Sequence, residues 1–321
     1  MNMNKKIWMW MALVISLLMS GCAGADTKEA AVVEELPIEQ EGNTGNNEGT
    51  GDFAQNPEGT PAEEKEPYEE LEIEVNGNKG TIVVGTTGAP FTEILTQAKI
   101  QLASDGWDLQ IIKYEDHLKL NEDVLNGTLD AHLFAHQAYL DSYNGVNSAT
   151  LVPVDAICYE VFGIFSKINQ DLTKISGGAL IGIPADDTLK AHALLYMQDL
   201  KWIVLKEDVG MTAVLDDITE NTKKFEFVEY TQDNLEQILE EADYCVLGAN
   251  QAVVAGFLLE EDRLLHETNM SESSRVFSTQ LVAKEENATN EKMKVLVNVL
   301  KSKDMKIYME EAYKGAYSLM R

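Results

Sequence analysis

From about residue 80 onward, short apolar runs alternate with segments whose apolar positions recur every three to four residues. The runs TIVVGTT, LQIIKY, LVPVDAICYEVFGIFS, ALIGIP, FEFVEY, DYCVLG and RVFSTQLVAK are rich in β-branched and aromatic residues and predict strands. Helix-period segments lie between them at 91–105, 120–127, 188–200, 233–242, 250–259 and 287–302. Strands alternating with helices predict an α/β fold in which mainly parallel sheets are covered by helices. No internal repeat is evident. The length of this part suits one large lobe or two small ones.

The first 79 residues follow other rules. Lys5 and Lys6 precede an apolar run over 7–19 that only Ser16 interrupts, and Ser20, Gly21 and Cys22 follow. A positive start, a short apolar stretch and small residues before a cleavage point predict a secretory signal peptide over 1–21. The run is shorter than the ~20 residues a spanning helix needs. Small residues directly before a cysteine resemble the lipobox of bacterial lipoproteins, although Met19 stands where that pattern prefers Leu. The resemblance implies lipidation of Cys22 and a protein anchored by that lipid to the cell membrane, outside the cytoplasm. The rest of 22–79, with EGNTGNNEGTGDFAQNPEGTPAEEKEPYEE, reads as an acidic tether with almost nothing to bury.

Charge and cysteine content narrow the chemistry. The net charge is -29, and removing residues 1–21 takes away two lysines and no acid. Such a balance argues against nucleic acid and against adsorption to anionic lipid, both of which favour a basic face. Cys158 and Cys245 lie in apolar runs, with no CxxC or zinc-like Cys/His spacing, and read as small buried hydrophobes. The glycines of VVGTTGAP lack the G-x-G-x-x-G order and a phosphate lysine. No nucleophile elbow, HExxH, P-loop or catalytic triad is present, so neither an enzyme nor a cofactor is expected. Asp186 and Asp187 read as helix caps. Trp107, Trp202 and Ile203 read as core.

A series of motifs then carries a family resemblance. VVGTTGAPFTEIL is followed by YEDH and LNEDVL, by DAHLFAHQAYL, and by GIFSKI. IPADDTLKAHALLYM, AVLDDI, GAN and YKGA come later, in the same order and spacing. Over about Thr81 to Tyr317 the chain resembles the methionine-binding lipoproteins of ABC importers (the NlpA/MetQ type). The resemblance implies a bilobed periplasmic-binding-protein-like fold, two α/β lobes joined by two crossing strands near 159–166 and 276–283. Residues 80–160 plus 276–321 would form lobe 1 and 161–275 lobe 2. A small ligand would be held in the cleft and presented to an ABC permease and its ATPase.

Carried over position by position, the family's ligand contacts fall on His117, Phe134, His136, Tyr139, His192 and Asn250. The aromatic part keeps type and spacing at Phe134, His136 and Tyr139, which suits a soft apolar group. Where the family has an Arg to hold a carboxylate, this chain has His192, which offers one contact in place of a two-pronged fork. Asn positions of the family are Ala185, Leu189 and Thr279 here. The resemblance therefore implies a receptor whose ligand departs from free methionine. Two other readings stand beside it. His117, His132, His136 and His192, with Glu115, Asp116 or Glu160, are candidates for a metal-ion receptor, and a sensor or adhesin can reuse the fold without transport.

Overall fold

The structure is a computed structural model and describes residues 73–321. The signal peptide, Cys22 and most of the acidic segment lie outside the described residues. The chain runs β1 (Gly80–Thr86), α1 (Phe91–Ser104), β2 (Trp107–Lys113), α2 (His117–Leu125), β3 (Ala131–Ala135), α3 (Gln137–Asn147) and β4 (Leu151–Glu160). It continues through β5 (Phe162–Phe165), β6 (Leu180–Pro184), α4 (Asp187–Asp199), β7 (Val204–Leu205), β8 (Ile218–Glu220) and β9 (Glu226–Tyr230). Next come α5 (Leu235–Glu241), β10 (Tyr244–Gly248), α6 (Ala249–Val254), β11 (Leu265–His266) and α7 (Glu272–Val276). The last elements are β12 (Thr279–Lys284), α8 (Glu291–Leu300), α9 (Lys303–Tyr313) and β13 (Tyr317–Leu319).

Two main sheets organise the two α/β lobes, and β7 and β8 pair as a separate two-stranded ribbon. One main sheet has the strand order β13-β4-β12-β3-β1-β2, the other β11-β5-β10-β6-β9. In the first, Ile82, Val84, Leu109 and Leu133 pack with Ile94, Leu95, Ala98 and Leu102 of α1 and with α8 and α9. Leu120, Val124, Leu129 and Leu140 form a second cluster that includes residues of α2 and α3. The second sheet is likewise flanked by a cluster containing α4 and another containing α5 and α6. Sheets covered on both sides are the form that continuous apolar strands require. Gly85 belongs to this packing: a Cβ there would lie 2.3 Å from Leu120 Cδ1 and 2.6 Å from Leu129 Cδ1. The glycine of VVGTT thus serves close approach of strand and helix.

Caps and core follow the local chemistry. The Asp186 side chain accepts the Leu189 N–H at the start of α4, and Asp116 caps α2 in the same way. Trp107 and Ile203 are buried, and Trp202 packs against the second lobe's core. Cys158 and Cys245 are free and buried, and burial pushes both thiols up to about 12. No helix among the described residues is long and apolar enough to cross a membrane.

The structure differs from the hydropathy pattern at definite places. The run over 151–166, expected as one strand, breaks at Val161, whose N–H donates to the Ala316 carbonyl. Its two halves join different sheets. RVFSTQLVAK begins as the end of α7 and turns to strand only at Thr279. Helices α3 and α9 were not anticipated, because each buries only two residues, Leu140 and Tyr143 or Met305 and Met309. That is too few to make a readable stripe.

Strand direction positions the candidate site. β3 and β4 are both antiparallel to β12, so their carboxyl ends share one edge of the first sheet. In the second sheet β6, β9 and β10 are parallel, and Gly248 at the end of β10 pairs with Phe162 at the start of β5. The chain passes from the end of β4 straight into β5, and from α7 straight into β12. The carboxyl edges of both sheets therefore meet at these two crossings, where open α/β sheets bind ligands.

Candidate ligand-binding site

Four of the six expected residues gather at the carboxyl end of β3. His117 opens α2, Phe134 lies in β3, His136 is the N-cap of α3, and Tyr139 lies in its first turn. Ring centroids are 4.9 Å apart for His117–Phe134, 5.2 Å for Phe134–Tyr139 and 6.5 Å for His117–Tyr139. His136 lies 6.4 Å from Tyr139. These tilted and edge-on contacts suit aromatic quadrupoles. His136 Nδ1 accepts the Tyr139 N–H at 3.1 Å, which places its proton on Nε2, and burial lowers its pKa and keeps the ring neutral. The Tyr139 hydroxyl accepts from Asn121 Nδ2 at 2.8 Å, and burial raises its pKa. His117 is exposed, and Phe134, His136 and Tyr139 are half-buried.

His132 stands behind this group. Its ring centroid is 4.8 Å from Phe134, it is 0 % exposed, and neither ring nitrogen has a hydrogen-bond partner. Burial pushes its pKa down to about 3. The unfolded chain protonates near ~6.5, so below that pH it takes up a proton that the folded ring refuses. Folding stability should therefore fall as pH drops from ~6.5 towards 3, by up to ~1.4 kcal/mol per pH unit from this residue. His132→Leu should lack that part of the slope and gain about 1 kcal/mol at neutral pH, because two orphaned polar atoms are removed. Urea unfolding of both proteins at several pH values measures the difference. Parallel pH profiles would contradict it.

Asn250 lies on the other side of the crossings, in the first turn of α6. Its backbone N–H donates to Glu160 Oε1 at 2.9 Å, and its Nδ2 donates to the Tyr317 hydroxyl at 2.9 Å. It thus ties the second sheet to β4 and β13 of the first. Gly248 makes room for this contact, since a Cβ there would sit 2.9 Å from Glu160 Oε1 and 3.1 Å from the Phe162 ring. Burial raises the Glu160 pKa, opposed by the Asn250 N–H.

His192 is placed differently. It is 4 % exposed within α4, with Nε2 at 3.0 and 3.1 Å from the two carboxylate oxygens of Glu267. Its ring is stacked between Phe162 (3.8 Å) and Phe277 (4.1 Å, interplanar angle 2°). Glu267, 1 % exposed, also accepts the Phe162 N–H at 3.2 Å. Phe162 and Phe277 flank the two crossings, so His192 is clamped at the junction of the lobes. Its ring contacts are with these two phenylalanines and not with the group around Phe134.

The histidines therefore do not converge on one point. Among the described residues no group of three or more His, Cys, Asp or Glu is placed to hold a metal ion. Glu160, Glu267, Phe162, Phe277 and Tyr317 also stand at the crossings, none of them among the six contacts that the family resemblance implies. Glu267 and His192 lie 75 positions apart, and Asn250 and Tyr317 lie 67 apart, so no local spacing signals either pair. A surface depression of about 430 Å³ is lined by Lys301, Lys303, Lys306, Tyr317 and Arg321 among others, and by none of the six expected residues.

Comparison with known proteins gives the family and the fold. The family model described as NlpA lipoprotein matches residues 82–320. The methionine-binding lipoprotein MetQ of Bacillus subtilis is 28% identical over 242 residues, covering 74% of this chain and 87% of that protein. A lipoprotein structure from Ruminococcus gnavus is 37% identical, with a TM-score of 0.54, covering 75% of this chain and 99% of the other. A nutrient-binding protein from Burkholderia cenocepacia, solved with methionine bound, is 26% identical, with a TM-score of 0.53 and coverage of 74% and 99%.

Proposed function

The chain belongs to the NlpA lipoprotein family, and from that premise we propose that it is a lipid-anchored substrate-binding lipoprotein of an ABC importer. It takes a small ligand between its lobes and delivers it to a permease driven by an ATPase. Lipid on Cys22 holds it to the membrane. We place lobe 1 at 80–160 plus 276–321 and lobe 2 at 161–275, a division supported by the membership of the two sheets.

One observation carries the reading. The carboxyl edges of both sheets meet at the crossings, with His117, Phe134, His136 and Tyr139 on one side and Asn250 on the other. Closure of two lobes about such crossings buries a ligand, which in turn favours the closed state. The relatives named for methionine point to a ligand with a soft apolar end, which the aromatic group suits. His192 sits at the junction as a support for the crossings, bound to Glu267. The metal reading is left without a site among the described residues.

Native mass spectrometry of the full-length protein in detergent tests this. The wild type is expected to retain a small-molecule adduct from expression. Phe134→Ala/Tyr139→Ala should lose it, since two aromatic contacts of ~0.3–1.5 kcal/mol each amount to roughly threefold to a hundredfold in affinity. An adduct retained equally by the double variant would contradict the placement of the site.

A further inference from the structure

Given the reading that the cleft binds a small ligand, its charged groups indicate the chemical class. Glu160 ends β4 at the first crossing, half-buried, with Oε1 held by the Asn250 N–H. Among the described residues no lysine or arginine forms an ion pair with it. A partly desolvated carboxylate without a counter-ion is costly, and one that meets a cation on binding recovers that cost. The ionisable side chains that act on Glu160 are His192, which favours its charged form, and Glu267, which opposes it. The His192 imidazole is itself bound to Glu267, at 3.0 Å.

None of the three arginines is bonded to Glu160: Arg263 donates to the Gly315 carbonyl at 3.0 Å, Arg275 is exposed in α7, and Arg321 Nη1 lies 3.8 Å from Met270 Sδ. A ligand carboxylate entering at Glu160 would meet like charge and no fork. Along the same edge of the first sheet, Phe134, Tyr139 and His117 present ring faces and edges that suit an apolar chain or the flank of a cation.

We propose that the ligand is a small organic amine that lacks a carboxylate, with Glu160 as the counter-ion of its ammonium group. The Asn250 N–H orients the carboxylate, and Gly248 leaves the space for it.

The test is calorimetry on the full-length protein in detergent with three probes that share one thioether tail. These are 3-(methylthio)propylamine, L-methionine and 3-(methylthio)propanoate. The amine should bind at least tenfold tighter than methionine, and the acid weakest of the three. Glu160→Gln keeps shape and an oxygen acceptor for Asn250, and a thermal melt matching the wild type shows that it folds. It should weaken amine binding by tenfold or more. The inference is overturned if the acid binds as tightly as the amine, if Glu160→Gln leaves amine affinity unchanged, or if no probe binds. In each of those cases the receptor reading is judged separately, by the retained adduct.

Discussion

Replacing Glu267 with alanine is expected to destabilise the protein by about 3–5 kcal/mol, the cost of breaking one side of a buried pair. The reason is the number of groups that depend on it. Its carboxylate holds His192 Nε2 at 3.0 and 3.1 Å, accepts the Phe162 N–H at 3.2 Å, and is almost wholly buried. Alanine would leave the imidazole and the amide without partners, inside a space closed by Phe162 and Phe277. An orphaned buried donor costs more than a made hydrogen bond contributes. For a domain of this size each kcal/mol lowers Tm by roughly 2–4 °C, so calorimetric melting should show a drop of about 10 °C. Glu267→Gln keeps two hydrogen-bonding atoms and should lose distinctly less. A loss below about 1 kcal/mol for the alanine variant would mean that the clamp contributes little to the junction.

Cys22→Ser should release the protein from the membrane altogether. A single acyl chain already supplies reversible membrane affinity, and two chains supply stable anchoring; the net charge of -29 offers no electrostatic substitute on an anionic surface. Metabolic labelling with a fatty-acid analogue should tag the wild type and not the variant, and the variant should move to the soluble fraction. Equal labelling of both proteins, or of neither, would overturn the lipoprotein reading.

The framework was legible because it is written in local periodicity. LIGIP and YCVLG are apolar over their whole length and GTIVVGT over its middle, as strands covered on both sides must be, and all three form strands as expected. The family motifs were legible for a related reason, since DAHLFAHQAYL and GIFSKI keep constant spacing. The break at Val161 was not legible in the hydropathy of LVPVDAICYEVFGIFS, which does not distinguish one long strand from two that enter different sheets; only the family resemblance implied a crossing near 159–166. Helix α9 was hidden by its polar surface, with only Met305 and Met309 buried. The surroundings of His192 lay furthest from view. Its substitution for arginine was plain, but its partner Glu267 is one carboxylate among many in an acidic chain. The two phenylalanines that sandwich it come from segments far apart in sequence. Contacts of that kind are made by the tertiary fold and leave no periodic trace.

The most direct test of a ligand held between the lobes is a crystal structure of the protein purified with its retained small molecule. The molecule is expected at the carboxyl edges of both sheets, touching Phe134 or Tyr139 in lobe 1 and Asn250 in lobe 2. Density confined to one lobe, or lying in the depression beside Lys301, Lys303, Lys306 and Arg321, would contradict the account.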